Sequence, residues 1–184
     1  TNDITVDKNG MTLIGGTGND TFTYASSSLA SADIVYGGSQ VLADILKVTG
    51  NTAMSASNFT NIFEIETLDL SSYSGILTIG SGVLPFSTVL FGSGGATLNI
   101  DSNSLGTQIL TGTSGTVNVT NLDATLNADF TNVAAGLTLN ADWSGTGVYT
   151  GNLTNVDTLT ISSGTMTVTD NILGTLLVSG AGNI

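Results

Sequence analysis

The chain has 184 residues, with 14 Asp+Glu against 2 Lys+Arg and no His, and a formal net charge of −12 at pH 7. So few cations exclude a nucleic-acid partner, which needs clustered Lys and Arg, and disfavour anionic membrane surfaces. No apolar run reaches the roughly 18 residues of a spanning helix, and the absence of Cys excludes disulfides, thiolate catalysis and Cys-based metal sites.

Hydrophobic residues make up 40% of the chain and charged residues 9%, the balance of a folded protein rather than a disordered one. Thr, Ser, Asn and Gly carry the polar surface. Such an exterior suits β-structure and packing against copies of itself, and its natural small partners are hard cations.

In chain order, Asn2-Asp3-Ile4-Thr5-Val6 is a first short strand. It is followed after an Asn9-Gly10 turn by Leu13 and then by Gly15-Gly16-Thr17-Gly18-Asn19-Asp20 leading into Thr21-Phe22-Thr23. Glycines reach positive φ without a Cβ clash and let the chain curl its carbonyls inward, while Asp20 adds a hard carboxylate. Carbonyl and carboxylate oxygens are what calcium selects. Asp33-Ile34-Val35-Tyr36-Gly37-Gly38 repeats the strand-to-glycine pattern and runs on to Asp44-Ile45-Leu46.

The candidate metal residues are therefore Asp3, Gly15, Gly16, Thr17, Gly18, Asp20, Asp33, Gly37, Gly38 and Asp44, with calcium as the cofactor. Asp3 is read as standing in register with Asp20. The same glycines also fit tight turns without metal. Gly92-Ser93-Gly94-Gly95 has no Asp at the matching place and reads as a plain turn.

Glu64 and Glu66 stand two apart and would share one face of a strand, the best pair for acid–base chemistry here. An acidic patch or a calcium ligand is the plainer use. With no His, no Arg and two Lys, catalysis has few groups to draw on, and no enzyme is expected. Trp143 and Tyr149 are expected as core or loop anchors rather than a sugar platform.

From residue 97 onward short alternating segments recur, among them Thr97-Leu98-Asn99-Ile100-Asp101, Thr116-Val117-Asn118-Val119-Thr120, Thr158-Leu159-Thr160-Ile161 and Thr165-Met166-Thr167-Val168-Thr169. Apolar anchors at Leu98, Ile109, Val117, Leu126, Leu137, Val148, Leu159, Val168 and Leu177 are separated by 8 to 11 residues. Two folds give that rhythm, an antiparallel sandwich or barrel and a parallel β-solenoid. Two features favour the solenoid: Asn61 to Ser72 resembles Asn155 to Ser163, and hairpin dipeptides are sparse. Stacked coils also let Asn residues at the turns form side-chain ladders. The expected class is all-β, a parallel β-solenoid or β-helix. Residues 1–50 are expected to form a calcium-binding β-roll that resembles those of RTX proteins, and residues 51–184 to continue the solenoid as one elongated module.

The Gly15–Phe22 stretch resembles the GGxGxDxUx nonapeptide of RTX proteins. Asn58-Phe59-Thr60-Asn61-Ile62-Phe63-Glu64-Ile65-Glu66-Thr67-Leu68-Asp69-Leu70-Ser71 is similar to the segment that follows glycine repeats in RTX-bearing surface-layer proteins, with extra residues between Asn61 and Glu66. These motifs cover residues 1–72; composition and rhythm alone speak for 73–184. The resemblance implies a secreted protein at the bacterial cell surface that folds as calcium arrives. It also implies tiling with copies of itself into a lattice, with anchoring to cell-surface polysaccharide lying outside this stretch. A spacer or binding segment of a large RTX adhesin is the alternative. TNDITV is not a signal peptide and SGAGNI stops where a glycine turn begins, so the chain reads as part of a longer one.

Overall fold

The computed structural model describes residues 1–39, 43–80, 82–125, 130–168 and 176–184. Every strand pair is parallel, and successive coils stack into a β-solenoid of about eight turns. The antiparallel sandwich is thereby set aside. The anchor Leu126, residue Thr169 and the 40–42 part of the second glycine turn lie outside the described residues.

A six-stranded sheet runs along one side, in the order Asp3–Val6, Thr21–Ala25, Ile45–Gly50, Thr67–Tyr73, Thr88–Phe91, Ile109–Gly112. Alternation turns one set of residues inward at every coil. Ile4, Phe22, Leu46, Leu68, Val89 and Leu110 form one registered column, and Leu110 bridges to Val133 in the next coil. Phe22, Leu46, Leu68 and Val89 are wholly buried, each contributing about 1.5–3 kcal/mol relative to exposure. This sheet passes through residue 50 without a break, so the roll-like first coils and the later ones share a single ladder.

A seven-stranded sheet forms a second side from the third coil onward. Its order is Met54–Ser55, Ile76–Ile79, Thr97–Asp101, Thr116–Leu122, Thr138–Trp143, Thr158–Ile161, Leu177–Gly180. Leu77, Leu98, Val117 and Leu139 line up inward. Outward, Asn118 donates its side-chain amide to Asn99 at 2.8 Å and Asn140 donates to Asn118 at 2.9 Å. The expected asparagine ladder thus exists, but on a strand face and not at a turn.

Three short strands, Thr12–Ile14, Ile34–Tyr36 and Ile62–Phe63, make the third side of the first coils, and Gly147–Val148 pairs with Met166–Thr167 near the far end. A 3₁₀ turn, Ala56–Phe59, is capped by Ser55 and Asn58. No α-helix occurs among the described residues.

Some anchors face the other way from expectation. Ile109, Val148 and Leu177 are exposed, and Leu110 and Tyr149 point inward beside the first two. Trp143 and Tyr149 are core anchors, meeting edge to face at 6.0 Å with the indole N–H donating to the Gly145 carbonyl.

Candidate metal centre

The glycine bends form the corner between the short third side and the six-stranded sheet. Residues 15–20 make this corner in the first coil, and the next corner begins at Gly37 and ends at Asp44. The third is only 64–66. The corners stack: Gly15 N–H donates to the Tyr36 carbonyl at 2.9 Å, Gly16 to Gly37 at 3.1 Å and Gly37 to Phe63 at 3.0 Å. Gly16 and Gly38 hold φ of 98° and 112°, where a side chain is strained.

At the end of each corner, just before the strand, stands an acidic residue. Asp44 Oδ1 accepts the backbone N–H of Asp20 at 2.7 Å, and Glu66 Oε2 accepts that of Asp44 at 2.8 Å. Asp20 Oδ1 accepts from the backbone and side-chain amides of Asn2. The result is a ladder Asn2–Asp20–Asp44–Glu66, in which each side chain caps the amide one coil earlier.

This register corrects one expectation. Asp3 pairs with Thr21 and is exposed, so Asn2, one residue earlier, is the ladder partner of Asp20. Asp33 also falls elsewhere. It lies at the opposite end of its strand from Gly37, buried, with Oδ1 accepting from Met11 N–H at 2.9 Å and Oδ2 from Ala30 N–H at 2.7 Å. Both its oxygens are used on backbone, which makes it a loop cap. Thr17 is exposed on the tip of the first bend and Gly18 keeps a φ of 101°.

Asp20 and Asp44 are 1% and 0% exposed, yet the Oδ2 atom of each is buried with no hydrogen-bond partner. A charged oxygen left so costs at least about 1–3 kcal/mol. Both orphan atoms sit in the same setting. A Cβ on Gly15 would collide with Asp20 Oδ2 and the Gly37 carbonyl oxygen, and a Cβ on Gly37 would collide with Asp44 Oδ2 and the Glu64 carbonyl oxygen. At two successive corners a carboxylate oxygen and a carbonyl oxygen from the next coil therefore face one narrow space beside a glycine. Such a pairing of oxygens fits calcium. No three acidic side chains converge closely enough among the described residues to form a site of carboxylates alone. Carbonyls would have to share the coordination.

Burial pushes the Asp44 carboxyl above its usual range. The Asp20 N–H works against that rise, and the charges of Asp20, Glu66 and Glu64 add to it. Cations are scarce around the ladder. Lys47 pairs with Asp69 at 3.9 Å on the outer face of the sheet.

Glu64 and Glu66 do not share a strand face. They occupy the short third corner around buried Ile65, and Glu64 takes a φ of 56°. Beside this corner, Ile14, Tyr36 and Phe63 form an exposed apolar column, with the two rings stacked at 4.9 Å. Phe63 also borders a groove of about 330 Å3 whose lining, including Phe59, Ile79, Val83 and Pro85, contains no carboxylate.

No protein-family model matches this chain, and neither a curated protein nor a solved structure matches it.

Proposed function

We propose that this chain is a structural segment of a secreted bacterial surface layer, a β-solenoid stabilised by calcium that assembles laterally with its copies. The carrying observation is the pair of buried, unpartnered Oδ2 atoms on Asp20 and Asp44, stacked against glycine bends. Calcium at Gly15, Gly16, Gly37 and Gly38 with Asp20 and Asp44 would neutralise those oxygens and offset part of a net charge of −12. Asp33 and Asp3 are left out of this set, since one caps backbone and the other is exposed off the ladder.

A small share of charged residues, 9%, and broad Thr/Asn faces on stacked strands also suit a building material. The test is calcium titration of purified protein, followed by circular dichroism, thermal unfolding and negative-stain microscopy. At a calcium concentration one hundred times Kd, each site should add about 2.7 kcal/mol of stability, and ordered sheets should appear. Stabilisation without assembly would favour the adhesin spacer. No thermal or spectral response at millimolar calcium would remove the calcium reading altogether.

A further inference from the structure

Asn9-Gly10 is the single Asn-Gly pair in the chain, and such a pair ordinarily turns a hairpin. Here it does not, because the flanking strands, Asp3–Val6 and Thr12–Ile14, belong to different sheets of a parallel stack. The pair rounds an outer corner of the first coil, where Asp7, Lys8, Asn9 and Gly10 are all exposed. Gly10 holds φ at 70°, and nothing lies within 4 Å of the place its Cβ would take. Among the described residues, no hydrogen bond engages the Asn9 side chain or the Gly10 N–H. Order resumes at Met11, whose N–H donates to Asp33 Oδ1 at 2.9 Å and whose carbonyl accepts from Ile34 N–H at 2.8 Å.

Every other asparagine precedes a residue whose side chain crowds the next backbone nitrogen. Several are also tied down. Asn61 donates its amide to the Ser31 carbonyl at 2.8 Å, and Asn118 is bonded within its ladder. Asn103 is the fairest comparison, since it is exposed and precedes the small Ser104. Yet both its backbone N–H and its side-chain amide donate to Asp101 Oδ1 at 2.9 Å.

We propose that Asn9 is a site of spontaneous covalent modification, converting to a mixture of aspartate and isoaspartate. Hydroxide takes the proton of the Gly10 backbone nitrogen, which attacks Cγ of Asn9. The new N–Cγ bond closes a five-membered succinimide, the Cγ–Nδ2 bond breaks, and ammonia leaves with a proton from solvent. Water then opens the ring. Opening at Cγ gives aspartate, and opening at the main-chain carbonyl gives isoaspartate, whose backbone runs through the former side chain. Water is the one co-reactant, and nothing is oxidised or reduced. The conversion adds one negative charge to the net −12, beside Lys8, one of the chain's two cations. The longer isoaspartyl backbone is absorbed in an exposed loop that Met11 closes off, so the stack of coils persists.

This site is independent of the calcium reading. The test holds the purified protein at mildly alkaline pH and follows it by peptide mapping, with fragmentation that separates isoaspartate from aspartate. Asn9 should gain the mass of an amide-to-acid conversion before any other asparagine, faster as pH rises, with isoaspartate present and the thermal unfolding midpoint unchanged. Gly10→Ala should slow the conversion at least about tenfold, and Asn9→Gln should abolish it. A synthetic peptide of residues 5–13 gives the rate without the fold, and the intact protein should come within about tenfold of it. An Asn9 that stays intact, that converts no faster than Asn103, or that the fold protects well beyond that margin overturns the proposal. Should Gly10→Ala not fold, Asn9→Gln and the peptide comparison decide.

Discussion

Gly37 shows how one missing methyl group fixes a corner. A Cβ there would strike a backbone carbonyl and a buried carboxylate, neither of which can swing away. Gly37→Ala should cost about 1–3 kcal/mol in urea unfolding. Gly10→Ala, at φ 70° in open solvent, should cost only the strain of its conformation, about 1 kcal/mol. Two buried tyrosines offer a second contrast. The Tyr73 hydroxyl lies 2.9 Å from both the Thr52 and the Ile76 carbonyl oxygens and shares its one proton between them, whereas the Tyr24 hydroxyl is buried without a partner. Tyr73→Phe should lose about 0.5–1.5 kcal/mol and Tyr24→Phe close to none. Burial raises both phenols above their usual range, with Asp33 adding to the effect at Tyr24. Unfolded tyrosines ionise near pH 10, so above about that pH the unfolded chain holds fewer protons and stability falls as pH rises. Below it these two groups add no pH dependence. Thermal unfolding from pH 8 to 11 with tyrosinate absorbance checks this, and Tyr24→Phe should flatten the alkaline loss. At this scale the sequence showed Asp20, Asp44 and the glycines but misplaced the partner of Asp20. Counting from Asp3 gives a step of 17, whereas the coil is 18 long and lands on Asn2. Glu66 was missed as a rung because its corner lacks the glycines that marked the others.

Strands were legible in most places where Thr or Asn alternated with Leu, Val or Ile, although of Thr165 to Val168 only Met166–Thr167 is a strand. Thr97–Asp101 and Thr158–Ile161 match the expected segments, and the segment from Thr116 runs on to Leu122. The reading failed where two apolar residues stand together, as in Ile109-Leu110 and Val148-Tyr149. Period two cannot say which member of a doublet faces inward; the coil register does, and it chose the second. Polar residues on the outer face carry their own order. Asn118 is the middle rung of three, bonded to both neighbours. Asn118→Ala removes both side-chain bonds and should lower stability by about 1–2 kcal/mol. Asn99→Ala, which removes one, should cost about half as much. Equal values near zero in chemical denaturation would make the ladder a passive consequence of stacking.

For the molecule as a whole, parallel stacking was readable from rhythm and internal similarity, but the number of sides per coil was not. The second sheet opens only in the third coil, with Met54–Ser55 following directly on Ile45–Gly50. All coil-to-coil hydrogen bonds lie along the stacking direction, and each coil holds mainly its immediate neighbours. The register offsets, from 18 residues between Asp3 and Thr21 to 24 between Thr21 and Ile45, set the amount of chain stored per layer. Under tension applied along the stack, the load would fall on one layer's bonds at a time. Each rupture would then free about 60–85 Å of slack, so the molecule should lengthen in small steps and dissipate work gradually, as a shock absorber does.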